Sequence, residues 1–115
     1  MNELQKIAGE LEHFAVERDW NQFHSPKNLS MALAVEAAEL MQEFQWLTDE
    51  ESRALAPEKK SKVKEELADV FNYLVRIADK LDIDLIGASH DKIVINGIKY
   101  PVDKAKGNAK KYTEL

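Results

Sequence analysis

Two short acidic motifs contain the residues of this sequence that are best suited to chemistry. Glu36 and Glu39 form the first motif, and Glu66 and Asp69 repeat its spacing further along the chain. Residues three apart share a face of an α-helix, so each motif would present two carboxylates together. If the two faces meet, four carboxylates converge, and their mutual repulsion requires a cation. Oxygen ligands of this kind suit Mg²⁺, with Mn²⁺ as a possible substitute.

Other catalytic chemistries fit the sequence less well. A di-iron bundle places a histidine three residues after a ligand glutamate, whereas Gln42 follows Glu39 and Asn72 follows Asp69 at that spacing. The chain has no cysteine, no serine in a nucleophile elbow, and no glycine pattern of the Walker or Rossmann type. The remaining chemistry is metal-assisted attack of water on a phosphoryl group, with Glu39 or Glu43 orienting or deprotonating the water.

A single acidic pair on a helix is usually a solvated face. Here the pattern occurs twice, and an aromatic residue follows each copy, Trp46 in the first and Tyr73 in the second. This repetition favours a site. The alternative is a non-catalytic helical homo-oligomeric interaction module whose acidic face balances a basic partner. Mg²⁺ separates the two hypotheses, because only a metal-dependent enzyme should be stabilised by the metal.

Two long amphipathic helices must position the carboxylates. The apolar seam of the first comprises Leu29, Leu33, Ala37, Leu40, Phe44 and Leu47, and that of the second comprises Val63, Leu67, Val70, Leu74, Ile77 and Leu81. Each residue turns a helix by about 100°, so both acidic pairs lie to the same side of their seam. Asn28 as N-cap predicts a helix over residues 28–47, and Pro57 at the first helical position predicts one over 57–80. A further helix is predicted over residues 2–17, and Thr48 opens a short turn through a capping box.

The stretch from residue 92 to residue 100 is ambiguous. Asn96-Gly97 between β-branched residues is a strong hairpin signal, yet the same stretch can be helical, with Lys92 and Asn96 stacked one turn apart. Local chemistry alone predicts the hairpin. Pro101 ends either element, and a short helix is predicted over residues 102–111.

The composition is that of one ordinary globular domain spanning residues 1–115, and its four glycines and three prolines favour long helices over many turns. Without cysteine, signal peptide or membrane span, the chain is expected to be cytoplasmic and to have no membrane partner. A net charge of −5 argues against a nucleic-acid polymer as partner. Helices with one-sided apolar seams cannot bury all of their apolar side chains in so short a chain. We therefore expect a helical bundle of four or five helices that is completed by homo-oligomerisation.

The two acidic pairs resemble the signature of the MazG-like all-α nucleoside triphosphate pyrophosphohydrolases. Residues 14–20, 22–24, 44–46 and 111–115 are similar to the dCTP pyrophosphatase branch of that superfamily, and the similarity extends over nearly the whole chain. The resemblance implies Mg²⁺-dependent hydrolysis of (deoxy)nucleoside triphosphates to a nucleoside monophosphate and pyrophosphate. The substrate would be dCTP or a related or modified dNTP, and the role would be house-cleaning of the nucleotide pool.

The resemblance also implies three groups of site residues. The metal ligands would be Glu36, Glu39, Glu66 and Asp69, of which Glu36 and Glu39 would be catalytic; Trp20, Trp46 and Tyr73 would enclose the base and sugar; and Lys92, Asn96 and Tyr100 would contact the phosphates and nucleotide. The last group requires residues 90–100 to be helical, so the resemblance predicts a helix where local chemistry predicts a hairpin. It further implies a homodimer or a dimer of dimers (a homotetramer), with sites built between subunits.

Leu11 departs from the pattern of the dCTP pyrophosphatase branch. Some dCTP-preferring relatives carry a base-facing histidine at this position, and His13 lies two residues further on. A broader or purine-tolerant base preference therefore stays open.

Overall fold

The computed structural model describes all 115 residues, and its regular structure is entirely helical. The helices are α1 (Glu3–Glu17), α2 (Pro26–Gln42), α3 (Asp49–Arg53), α4 (Pro57–Lys80), α5 (Leu85–Lys99), α6 (Val102–Ala105) and a 3₁₀ helix (Tyr112–Glu114). The all-α class is confirmed. The structure has six α-helices rather than the predicted four or five, because the short helices α3 and α6 add to the four long ones. The chain forms two compact units, Met1–Asp82 and Ile83–Leu115. None of the helices combines the length and hydropathy that a membrane span requires.

Three helix starts follow the local signals in the sequence. Asn2 caps α1 through a capping box with Gln5, and Thr48 caps α3 in the same way with Glu51. Pro57 occupies the first turn of α4, where its missing N–H has no intrahelical partner to lose. The predicted bounds of α4 are confirmed, and those of α1 differ by one residue.

The prediction for α2 was wrong at both ends. Its N-cap is Ser25, whose Oγ accepts the backbone N–H of Asn28 at 3.1 Å, and Pro26 follows as a preferred first residue. The Asn28 side chain instead donates to the carbonyl oxygen of Phe23 at 2.9 Å. Because α2 ends at Gln42, Trp46 lies in the turns between α2 and α3 and not on the helix.

The prediction of a hairpin near Asn96, which was based on local chemistry, was also wrong. Asn96 and Gly97 lie inside α5, and Gly97 does not have the positive φ that a two-residue hairpin turn needs. Asp84 caps this helix by accepting the backbone N–H of Gly87 at 3.0 Å. A strong N-cap and a continuous helical hydrogen-bond pattern therefore override the turn signal, as the family resemblance implied.

The core of the first unit lies where α2 and α1 pack against α4. Its buried apolar side chains are Ala15, Leu29, Val63, Val75 and Ala78. Leu29 and Val63 were predicted to be in the seams, whereas the predicted Leu67, Leu74 and Leu81 are 53%, 40% and 50% exposed. The covered stripe of α4 is thus rotated from the predicted one, and part of the apolar surface stays open.

Candidate active site

Three carboxylates of α2 and α4 converge where these helices pack together. One side-chain oxygen from each of Glu36, Glu39 and Glu66 lies within 4.8 Å of the other two. Glu36 and Glu39 are adjacent because a spacing of three residues places them on one face of α2. Asp69 follows Glu66 at the same spacing on α4, and its charge acts on both Glu36 and Glu66. Three of the four predicted carboxylates therefore converge, and Asp69 is not among the residues whose oxygens lie within 4.8 Å of one another.

The electrostatics of this cluster are unfavourable without a cation. Burial, followed by Glu39, Asp69 and Glu66, raises the pKa of Glu36 to about 7. Burial also raises the pKa of Glu66, with smaller contributions from Glu39, Asp69 and Glu43. In addition, Glu36 Oε2 and Glu66 Oε2 are buried and have no hydrogen-bond partner in the protein. Buried polar atoms are normally satisfied, so these two oxygens are available to a ligand from outside the chain.

A divalent cation fits this set of donors. All of the donors are carboxylate oxygens, which hard cations such as Mg²⁺ and Mn²⁺ prefer. No histidine joins the cluster. His13 lies beside Glu17 on the surface of α1, with 2.9 Å between His13 Nε2 and Glu17 Oε1.

Glu43 has a different environment from the other acidic residues. Lys59 Nζ donates a hydrogen bond to Glu43 Oε2 at 3.1 Å, and both side chains are partly buried. The ion pair leaves Glu39 as the better placed of the two residues suggested to act on water.

A cavity of about 550 Å³ lies between α1, the α1–α2 connection and α4. Its apolar wall comes from α1 and includes Ile7, Leu11 and Phe14, with Trp20 from the connection. The facing wall comes from α4 and carries the polar residues Asp69, Asn72, Tyr73 and Arg76, joined by His24. The volume and the mixture of apolar surface with a few polar groups are typical of small-molecule sites.

The cavity and the acidic cluster adjoin each other through Asp69 and Tyr73. Both residues line the cavity, and Asp69 also acts electrostatically on Glu36 and Glu66. Burial, followed by the charges of Glu36, Asp69 and Glu39, raises the pKa of the Tyr73 hydroxyl. A molecule in the cavity would therefore lie next to the carboxylates.

Two of the predicted substrate-binding residues line the cavity of the first unit. Trp20 and Tyr73 line the cavity, whereas Trp46 is 87% exposed and does not line it. Lys92 and Asn96 lie on α5 in the second unit. Tyr100 caps the C-terminus of that helix, and its ring meets Tyr112 edge-on with centroids 5.9 Å apart. The substrate-binding roles of these residues stay predictions.

Sequence reasoning missed the polar group around Arg76. This side chain is 3% exposed, although a charged residue is rarely buried unless it is paired. A signal was available, because Asn72 and Tyr73 each lie three or four residues from both Asp69 and Arg76, so the four share one face of α4. Their contact with His24 and α1 depends on the tertiary structure.

Known proteins resemble this chain in both sequence and fold. The MazG-like family model matches residues 31–115. The dCTP pyrophosphatase 1 proteins of Bos taurus and Homo sapiens are each 45% identical to it over 117 residues, covering 100% of this chain and 68% and 67% of theirs. The crystal structure of a pyrophosphatase from Archaeoglobus fulgidus has a TM-score of 0.81 at 34% sequence identity, covering 88% of this chain and 94% of that chain. The chain therefore belongs to the MazG-like family, in the branch of the dCTP pyrophosphatases.

Proposed function

We propose that this protein hydrolyses deoxynucleoside triphosphates to a nucleoside monophosphate and pyrophosphate, with Mg²⁺ as its cofactor and dCTP or a related or modified dNTP as its substrate. The observation that carries the proposal is the cluster of Glu36, Glu39 and Glu66 next to a cavity of about 550 Å³. Two buried oxygens of this cluster have no hydrogen-bond partner in the protein. The relatives named dCTP pyrophosphatase 1 support the choice of substrate. House-cleaning of the cytoplasmic nucleotide pool is the role that such an activity would serve.

The cavity and the acidic cluster would bind different parts of the substrate. The base and sugar would occupy the cavity, against the aromatic side chains of Phe14 and Trp20 and beside Tyr73. Aromatic side chains suit this task because their faces stack on a heterocycle. The triphosphate would then lie toward Asp69, where the cavity meets the acidic cluster.

The four carboxylates Glu36, Glu39, Glu66 and Asp69 would hold the cation. When bound, Mg²⁺ polarises a phosphoryl oxygen and offsets the negative charge of the triphosphate. Glu36 Oε2 and Glu66 Oε2 would then have the partner that the protein does not supply. A solvated acidic face for a protein partner would not leave these oxygens buried, so the interaction-module hypothesis has less support.

Glu39 is our candidate for the residue that orients or deprotonates the attacking water, with Glu36 beside it. It lies in the cluster, and it has no lysine partner of the kind that holds Glu43. A carboxylate in this position can accept a proton from the water as the phosphorus is attacked. Hydrolysis between the α and β phosphates then releases pyrophosphate.

The open apolar surface supports self-association as a homodimer or a dimer of dimers. Met31 and Val35 of α2 are 52% and 57% exposed, and Leu67, Phe71 and Leu74 of α4 are also exposed. Each set recurs at helical intervals and therefore forms a stripe. Such stripes commonly pair with a second copy of the chain in helical bundles.

The proposal is tested by incubating the purified protein with Mg²⁺ and each common nucleoside and deoxynucleoside triphosphate in turn. Release of pyrophosphate together with the monophosphate supports it, whereas orthophosphate with the diphosphate would show cleavage at the other bond. Glu39→Gln should lose most of the activity, and Glu65→Gln, on the exposed surface of α4, is the matched control. The same screen ranks the bases. The base preference is open because Leu11, which lies in the cavity wall, departs from the pattern of the dCTP pyrophosphatase branch. Absence of pyrophosphate with every nucleotide would contradict the proposal.

A further inference from the structure

A partly buried network of polar side chains joins two residues of the cavity lining, Arg76 and His24, to Glu12 and Asn21. Arg76 Nη1 donates to Glu12 Oε2 on α1, and Nη2 donates to Asn21 Oδ1 at 2.8 Å. Nη2 also lies 2.9 Å from His24 Nδ1. Arg76 and His24 line the cavity, and they belong to neither the acidic cluster nor its proposed metal site.

This geometry determines the protonation state of His24. A guanidinium has five N–H donors and no acceptor, so His24 Nδ1 must accept from Arg76 and cannot carry a proton. The ring proton is therefore on Nε2, and the imidazole is neutral. Nε2 makes no hydrogen bond within the protein and is not fully enclosed, which leaves one N–H donor in a residue that lines the cavity.

We propose that His24 is a specificity-determining residue that donates from Nε2 to an acceptor atom of the substrate base, and that Arg76 is the positioning residue that fixes this tautomer. The acceptor would be a carbonyl oxygen or an unprotonated ring nitrogen of the heterocycle. The identification of the ligand as a nucleotide base rests on the proposed function; the tautomer does not.

The surroundings of His24 fit a heterocyclic base. The Trp20 ring lies beside the imidazole, with centroids 6.1 Å apart, and Phe14 meets Trp20 edge-on at 5.7 Å. An apolar aromatic surface next to one directed donor is the combination that binds a base in a fixed orientation. Arg76 lies seven residues beyond Asp69 on α4, or roughly 10 Å along the helix axis, so its contact with His24 lies away from Asp69.

Burial and the positive charges near His24 favour its neutral form. Burial, followed by the positive charges of Arg76 and Lys80, lowers the pKa of His24, while Glu12 acts in the opposite direction. A neutral donor can be directed at an uncharged base without bringing a further buried charge into the cavity.

Kinetics with dNTP and Mg²⁺ test the proposed contact through variants of His24. His24→Gln retains an acceptor for Arg76 and an N–H donor for the cavity, whereas His24→Phe retains a ring and loses both. We expect His24→Phe to raise KM for the preferred dNTP roughly three- to tenfold with kcat changed little, since one hydrogen bond is lost. His24→Gln should recover most of this loss.

The role of Arg76 is tested against Lys80, which contacts the same network but not His24. Lys80 Nζ lies 3.0 Å from Asn21 Oδ1 and 3.6 Å from Glu12 Oε2. Arg76→Gln should raise KM as His24→Phe does and weaken the discrimination among bases, whereas Lys80→Gln should leave both unchanged. Unchanged KM values and base ranking in both Arg76→Gln and His24→Phe would overturn the proposal.

Nitrogen-15 NMR of the His24 side chain in the wild-type protein gives a readout that depends neither on activity nor on the folding of a variant. The wild-type protein should show the neutral Nε2–H tautomer, and Arg76→Gln should show a mixture of tautomers. An Nδ1–H or doubly protonated ring in the wild type would overturn the proposal even if the enzyme is active. If the tautomer is as expected and no nucleotide is hydrolysed, the proposed function fails instead.

Discussion

Replacement of Glu36 by glutamine should stabilise the metal-free protein and abolish most of its activity. Burial and the carboxylates of Glu39, Asp69 and Glu66 raise the pKa of Glu36 from 4.5 to about 7. Such a carboxyl binds its proton more tightly in the folded than in the unfolded state. The metal-free wild type therefore loses stability as the pH rises from 4.5 to about 7, and the loss is complete above that range. Glutamine has no charge, so the variant avoids the loss.

The size of the effect follows from this change in pKa. A rise from 4.5 to about 7 would correspond to about 3.4 kcal/mol in the free energy of unfolding, at about 1.36 kcal/mol per pH unit. Glu36 is only partly buried, and water screens the repulsion. We therefore expect a stabilisation of about 1–2 kcal/mol, which is a rise in Tm on the order of 5 °C for a chain of this size.

Unfolding by heat or urea, measured against pH with a chelator present, tests the prediction. The curves of the wild type and Glu36→Gln should coincide below pH 4.5 and separate as the pH approaches about 7. Glu65→Gln, an exposed site on the same helix as Glu66, should follow the wild type. Mg²⁺ should stabilise the wild type and have little effect on Glu36→Gln.

The remaining cluster variants complete this test. Glu39→Gln, Glu66→Gln and Asp69→Asn should likewise lose pyrophosphate release and the Mg²⁺-dependent stabilisation without losing metal-free stability, because like charges are removed. A structural ion pair would lose stability and activity together. Retained activity in any two of the four variants, or a Glu36→Gln protein less stable than the wild type above about pH 7, would refute the reasoning.

Three further predictions concern other parts of the molecule. Trp46→Ala should leave Tm unchanged, because the side chain is 87% exposed. If Trp46 stacks on the base, the same change should lower kcat/KM about tenfold or more, whereas an unchanged kcat/KM would place Trp46 outside the site. Light scattering at micromolar concentration should show a dimer or tetramer, and a folded monomer would contradict the proposed self-association. Glu12→Gln should destabilise the protein at neutral pH, because Arg76 lowers the pKa of Glu12; the difference should vanish as the pH falls below 4.5 through the folded pKa, and a difference that persists in acid would argue against the ion pair.

The sequence alone determined the features that depend on neighbours within one or two helical turns. Pro57 and the Thr48 capping box were sufficient to place α4 and α3, because capping is completed within four residues. The acidic pairs were predicted for the same reason, since a spacing of three residues puts Glu36 beside Glu39 in any α-helix. The family resemblance added the helical state of α5, which local turn chemistry contradicts.

The tertiary structure decided which faces are covered and which distant residues meet. Helical period places Leu67 and Val75 only about 80° apart around α4, and the packing of α1 and α2 decides that Val75 is buried and Leu67 is 53% exposed. The contact between Arg76 and His24 joins residues 52 positions apart, and no local pattern specifies it. Convergence of the two acidic pairs likewise requires α2 to pack on α4. Local spacing fixes which side chains share a face, whereas contacts between distant segments fix what that face meets.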